Sequence, residues 1–340
     1  MRVKLSYLLR TILTSCGAFA LLATGARPAA AISWSNPHHA YVVLVDPVAF
    51  TSYVQEVSVD PKPGPALTLR GTNTGFSRID GLAIGPQGNL YVSGCFGPDY
   101  RSCTESIRIF AAGANGNVAP IATLWGKHTK LTGPNGLAFD SSGRLYVAQQ
   151  KSVSGGKRGE IDVFAAGATG DVAPIAVIDG PNTQFRGQEL AYVAVDNAGE
   201  IFAGGTRNNW IGKFAAGAKG NVAPLAVAQV QPSLTNALHE LQVSGNTVFA
   251  AVGEFRDQSP TVHELSTTDL SQNGGLTNKR FTVLHADADA AGKVYVENII
   301  RTNSGGFIGF LYEYPPGSQT PARIRNLGRT YIGCCVVAGP

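Results

Sequence analysis

An all-β, six-bladed propeller of four-stranded antiparallel blades is the fold this sequence predicts, and three observations predict it. The thirteen residues FAAGANGNVAPIA (110–122) return as FAAGATGDVAPIA (164–176) and FAAGAKGNVAPLA (214–226), 54 and then 50 residues apart. Ahead of each copy, small and large apolar residues alternate on both sides of a Gly-containing turn, the pattern of a β-hairpin. The chain also ends in a strand-like stretch, TYIGCCVVAG (330–339), with no hairpin partner beside it. A four-stranded unit recurring about every 50 residues is how propeller blades read in sequence.

The elements follow in chain order. Arg2, Lys4 and Arg10 form a basic start, Thr11 to Ala23 a short apolar core, and ATGARPAAA (23–31) a run of mostly small residues. This is a secretory signal with its predicted cut after Ala31, leaving one propeller domain over 32–340. The apolar run is too short to span a bilayer, and no comparable run follows, so no membrane span is expected. Export places the protein in the periplasm or outside the cell.

Removing the leader changes the charge. It holds four of the 27 Lys and Arg (Arg2, Lys4, Arg10, Arg27) and none of the 23 acids, so the mature chain carries 23 against 23. A nucleic-acid partner needs a basic face to displace counterions, and this neutral chain has no Lys/Arg run. An oxidising compartment makes Cys95–Cys103 the expected disulfide across one loop. Cys334 and Cys335 are adjacent on a predicted strand and point to opposite faces, as two buried thiols or as a vicinal disulfide.

The blade template begins with GLAIGPQGNLYVSG (81–94), GLAFDSSGRLYVAQ (136–149) and VAVDNAGEIFAGG (193–205) as first hairpins. SIRIF (106–110), EIDVF (160–164) and WIGKF (210–214) are third strands. AAGANGNVAP then reverses the chain into a short fourth strand whose leading Pro suits a sheet edge. Weaker copies begin at LQVSGNTVFAAVG (241–253) and DADAAGKVYVEN (287–298), with Tyr314 in the place of the repeated Phe. At the N-terminus HAYVVLVD (39–46), SYVQEVSVD (52–60) and PALTLRG (65–71) supply three strands of a blade. TYIGCCVVAG supplies the missing first strand, closing the ring and removing its exposed edge. Residues 255–285 fit the template poorly, and five or seven blades stay open as alternatives.

IDGLAIGPQGNLYVSG (79–94) and GPNGLAFDSSGRLYVA (133–148), each followed by a strand ending in I-R-I-F or I-D-V-F, resemble NHL-type repeats. The wider group is that of six-bladed, TolB-like propellers, and the likeness covers nearly all of residues 39–339. It implies the architecture and leaves activity open, because the group holds lactone hydrolases, lyases and plain binding platforms.

Length variation falls on one face, where the loops between second and third strands lie: CFGPDYRSC (95–103), QQKSVSGGKRGE (149–160), GGTRNNW (204–210), GEFRDQSPT (253–261) and ENIIRTNSGG (297–306). Insertions gathered on one face mark a binding side. Aligning first strands places Asp80, Asn135 and His239 at equivalent positions, with Glu189, Glu240 and His285 close by. Oxygen donors converging on a channel suit a divalent cation, calcium or zinc, able to polarise a carbonyl or activate water. The resemblance to gluconolactonase-type enzymes implies the same metal for Asn135 in P-N-G and Asp80 in D-G, and Glu189 completes the candidate set. Asx residues before glycine are also ordinary turn formers, and His239 and His285 are also readable as hydrogen-bonded structural groups. Arg78, Arg186, Arg207, Arg256 and Arg301 suit an anionic ligand or a solvated surface. Trp210 either stacks on a sugar ring or closes a blade edge. No G-x-S-x-G, P-loop or H-E-x-x-H motif is present. The expected function is therefore a monomeric binding or scaffolding module for a small molecule, glycan or protein. A metal-dependent hydrolase or lyase of gluconolactonase type is the alternative.

Overall fold

The computed structural model describes residues 39–45, 52–58, 67–98, 102–153, 156–230, 237–253, 261–277, 282–288, 292–301, 307–329 and 331–338. Residues 1–31, read from the sequence as a leader, lie outside them. Six antiparallel sheets of four strands are present. Blade 1 runs, from the axis outward, Tyr331–Ala338, His39–Val45, Ser52–Ser58 and Thr68–Leu69. Blades 2 to 6 follow in chain order, and their innermost strands are Phe76–Ile84, Pro134–Phe139, Leu190–Val195, Ala237–Ser244 and Thr282–Ala288. Each innermost strand contacts the next around the axis, and Thr282–Ala288 meets Tyr331–Ala338, so the circle is complete. The predicted closure is the pairing of Tyr41 with Val337 and of Leu44 with Ile332. No helix among the described residues is long and apolar enough to cross a membrane.

The core divides into six slabs, one at each blade boundary, as thin sheets demand when neither face can stay wet. Val43, Leu69, Val92 and Phe110 belong to the boundary of blades 1 and 2, and Ile161, Phe185, Trp210 and Phe214 to that of blades 3 and 4. Ala40, Val42, Tyr295 and Leu311 fill the last boundary, between blades 6 and 1.

The repeated thirteen residues do more than reverse the chain. After Phe110 the connection leaves its blade and docks on the outer strand of the preceding one: Gly116 N donates to Thr68 O at 2.8 Å, and Arg70 N donates to Gly116 O at 3.2 Å. Gly170 and Gly220 make the same two-way bridge to Thr123/Trp125 and Val177/Asp179. The next residue then caps a turn in the preceding blade. Asn117 Oδ1 accepts from Asn73 N at 2.7 Å, Asp171 Oδ1 from His128 N at 2.6 Å, and Asn221 Oδ1 from Asn182 N at 2.7 Å. Those turns share a pattern, GTNTGF (71–76), GKHTKL (126–131) and GPNTQF (180–185), in which the Thr hydroxyl donates to the carbonyl of the leading Gly three residues earlier. Gly71, Gly126 and Gly180 hold φ of 123°, 130° and 131°, and a Cβ there would strike the capping Asn or Asp. The motif recurs because each copy staples its blade to the one before it.

Innermost strands share a second device, a bulge at one level. Asp80, Ala191, His239 and Leu284 are each the unpaired extra residue between ladder pairs, and Asn135 lies in the matching bulge of blade 3. In blade 1 the bulge covers residues 333–335, which places Cys334 and Cys335 there; their side chains lie outside those described.

Candidate ligand site on the upper face

The face on which the innermost strands begin, here the upper face, carries the loops between second and third strands. On it, Cys95 and Cys103 form the predicted disulfide, with Cα atoms 5.3 Å apart. The bond anchors Gly97, whose N donates to Gly75 O at 3.0 Å and whose carbonyl accepts from Ser77 Oγ at 2.8 Å. Gly97 and Pro98 thereby form one wall of a cleft of about 750 Å³ between blades 1 and 2. The Gly71–Gly75 turn, Phe76, Ser52, Arg70 and Arg108 supply the rest of the lining. On the lower face, a depression of about 250 Å³ lies over the short turns at Gly85 and Ser142. Its turns are closed on themselves: Asp140 Oδ1 accepts from Ser142 N and Arg144 N, both at 3.0 Å. Cavities of several hundred Å³ are the size that holds small ligands, so the upper-face cleft has room for one.

The channel-mouth candidates are placed as follows. Asp80 shares one side of its strand with Arg78, whose Nε donates to both carboxylate oxygens at 2.8 Å, while Arg78 Nη2 reaches Glu105 at 2.9 Å. Burial raises the Asp80 carboxyl above its ordinary range, and Arg78 opposes that rise. The Asn135 amide donates to Gly133 O at 3.3 Å, and its backbone carbonyl accepts from Ser93 Oγ at 2.5 Å. Glu189 is exposed in a left-handed conformation, φ 54°, beside Thr206. His239 Nε2 lies 3.2 Å from the Gly253 carbonyl, and Glu240 is buried. Arg186 and Arg207 are exposed. Arg256 and the side chains of His285 and Arg301 lie outside the described residues.

Asp80, Asn135 and His239 are equivalent, as the alignment predicts. Arg78 holds both Asp80 oxygens, and Ala191 stands at the corresponding level of blade 4. Among the described residues no three carboxylate, imidazole or thiol groups gather as a metal requires. Trp210 is 2% exposed and meets Phe185 edge-on at 6.0 Å, with its ring over Gly212. It closes the boundary of blades 3 and 4 and presents no face to a sugar.

Sequence reasoning missed a buried acid cluster in blade 3. Gln149 Nε2 donates to Glu160 Oε1 at 2.8 Å and to Asp162 Oδ2 at 2.5 Å, and Lys151 pairs with Glu160. Gln149 and Asp162 are fully buried, and Glu160 is 2% exposed. Burial first, and Glu160 second, push the Asp162 carboxyl up to about 7. The alternation of EIDVF carried the signal, since two acids two residues apart on a strand share a face.

No protein-family model and no curated protein sequence matches this chain. Solved structures do. A protein of unknown function from Bacteroides caccae superposes with a TM-score of 0.56 at 10% identity, over 89% of this chain and 99% of its own. Hydrazine synthase from Kuenenia stuttgartiensis gives 0.50 at 11% identity, over 76% of this chain and 67% of its own. The PQQ-bound aldose sugar dehydrogenase of Streptomyces coelicolor gives 0.47 at 15% identity, over 84% and 93%. Identities this low establish the propeller fold alone.

Proposed function

We propose that the chain is an exported binding module of NHL type, which receives a small-molecule ligand in the upper-face cleft between blades 1 and 2. The single observation that carries this reading is the coincidence of three features: variable loops, a disulfide-anchored wall and a 750 Å³ cleft on one face. A rigid wall matters because a preformed site avoids the ordering cost of binding.

The test is a thermal-shift panel of small sugars, carboxylic acids and lactones on three proteins. These are the wild type, Thr72→Trp, which fills the cleft from an exposed lining position, and Gln87→Trp on the lower face as a control. The reading expects at least one compound to stabilise the wild type and the control but not Thr72→Trp. Equal responses in all three proteins would refute it. Lactone hydrolysis abolished by a chelator would transfer the case to the gluconolactonase-type alternative.

A further inference from the structure

Arg108 occupies a position that every blade from 2 to 6 repeats and fills differently. The pairs Val92–Arg108, Val147–Asp162, Ala203–Gly212, Ala250–His263 and Val296–Tyr312 put these residues at one register point of the third strand. Only blade 2 places a cation there. Its guanidinium faces blade 1, donates from Nη1 to Thr74 O at 2.5 Å and lies 4.7 Å from the centroid of the Phe96 ring. Nε is buried without an acceptor. No acid among the described residues offsets the charge: Glu105 is three positions earlier on the strand, faces the other way and binds Arg78. Burial alone acts on Arg108, holding its pKa below the ordinary value. A half-buried cation without an anion is costly and is normally paired.

Gly75 shows that this arrangement is specific. It sits at φ 61°, and Lys130 and Gln184 take the equivalent place in the next two turns at 59° and 63°. Lys and Gln therefore tolerate the backbone, so conformation alone does not call for glycine at this point. The guanidinium lies where a Cβ on Gly75 would stand, and it is the movable end of its side chain, so an alanine here would displace it from its present seat rather than break the turn.

We propose that the cleft between blades 1 and 2 binds a small organic anion, whose carboxylate or phosphate group lies against the guanidinium of Arg108. A planar fork of donors suits either oxyanion. Arg70, which stacks on the Tyr53 ring at 5.2 Å, adds positive charge; Thr72, Asn73 and Ser52 add polar groups, and Phe76 an apolar surface for the organic part of the ligand. The volume fits a small molecule rather than a macromolecular surface. This inference rests on the cleft being the ligand site and adds the chemistry of the ligand.

Isothermal titration of the exported chain with inorganic phosphate, benzoate and the neutral isostere benzamide, at constant ionic strength, tests it. The wild type is expected to bind phosphate or benzoate saturably at one site and to ignore benzamide. Whichever anion binds assigns the group as phosphate or carboxylate. Arg108→Gln and Gly75→Ala are both expected to weaken that binding at least tenfold, with Arg108→Lys in between. Circular dichroism establishes that each variant is folded. Anion binding undiminished in Arg108→Gln overturns the proposal. It also falls if only a neutral compound binds the wild type and Thr72→Trp blocks it, a result that leaves the cleft as a ligand site. Absence of any cleft-dependent binding removes both readings.

Discussion

Replacing Asp162 by Asn should alter the pH dependence of stability in a way the blade 3 cluster specifies. The Asp162 carboxyl rises from 3.8 in the ordinary state to about 7 when folded, because burial disfavours its charge and Glu160 adds repulsion. The folded protein therefore keeps a proton that the unfolded chain releases. The neutral group stabilises fully below about pH 4, and that contribution is lost as pH rises through about 7. Roughly three pKa units at 1.36 kcal/mol each give an upper value of about 4 kcal/mol. Asn is isosteric with the protonated acid and does not titrate. Its amide nitrogen can donate to Glu160, and its oxygen can accept from Gln149. Urea unfolding of both proteins from pH 4 to 8.5 reads out the cluster, since titrations remote from it cancel in the difference. Near pH 4 the two should match. By pH 8 Asp162→Asn should be the more stable by about 2 to 4 kcal/mol, with Lys151 and solvent relaxation pulling the value down. A difference that stays flat across the range, or favours the wild type at high pH, would refute the reasoning.

Other perturbations have defined outcomes. Asn117→Ala and Asn221→Ala each remove the acceptor for one turn N–H and should cost about 1 kcal/mol in urea unfolding. The sites are on separate boundaries, so the double variant should cost the sum; full non-additivity would contradict independent staples. Cys95→Ser with Cys103→Ser opens a loop of separation 8 and should lower stability by about 2.5 kcal/mol on the chain-entropy estimate. The same change should weaken whatever ligand the cleft holds, because Gly97 loses its anchor. Adding a chelator should leave the melting temperature unchanged. A drop of several degrees, reversed by calcium or zinc, would restore the metal reading of Asp80, Asn135 and Glu189.

The ring was legible because each blade writes the same apolar alternation and the terminal strands are incomplete without each other. Tyr331–Ala338 pairs with His39–Val45 for the reason read in the sequence. The bulge ring was half legible: aligning first strands found Asp80, Asn135 and His239, but the extra residue that makes each bulge has no local signature. The staple escaped because it joins two motifs about forty residues apart, such as GTNT and GNVAP, and neither is unusual alone. Reading the connection as a simple reversal also overlooked its length, which is what allows Gly116 to reach Thr68. Trp210 has two readings in sequence; Gly212, whose lack of a side chain receives the indole, decides between them. Arg108 was invisible inside SIRIF, since a charged residue on a third strand reads as solvated. Only the seat of its guanidinium against the turn at Gly75 gives it meaning.

A high-resolution electron-density map of crystals of the protein grown with benzoate or phosphate tests the central claim most directly. The account predicts an oxyanion against the Arg108 guanidinium, walled by Gly97 and Pro98, and no comparable density over the lower-face turns. Water alone beside Arg108, with the anion seated elsewhere on the ring, would contradict it.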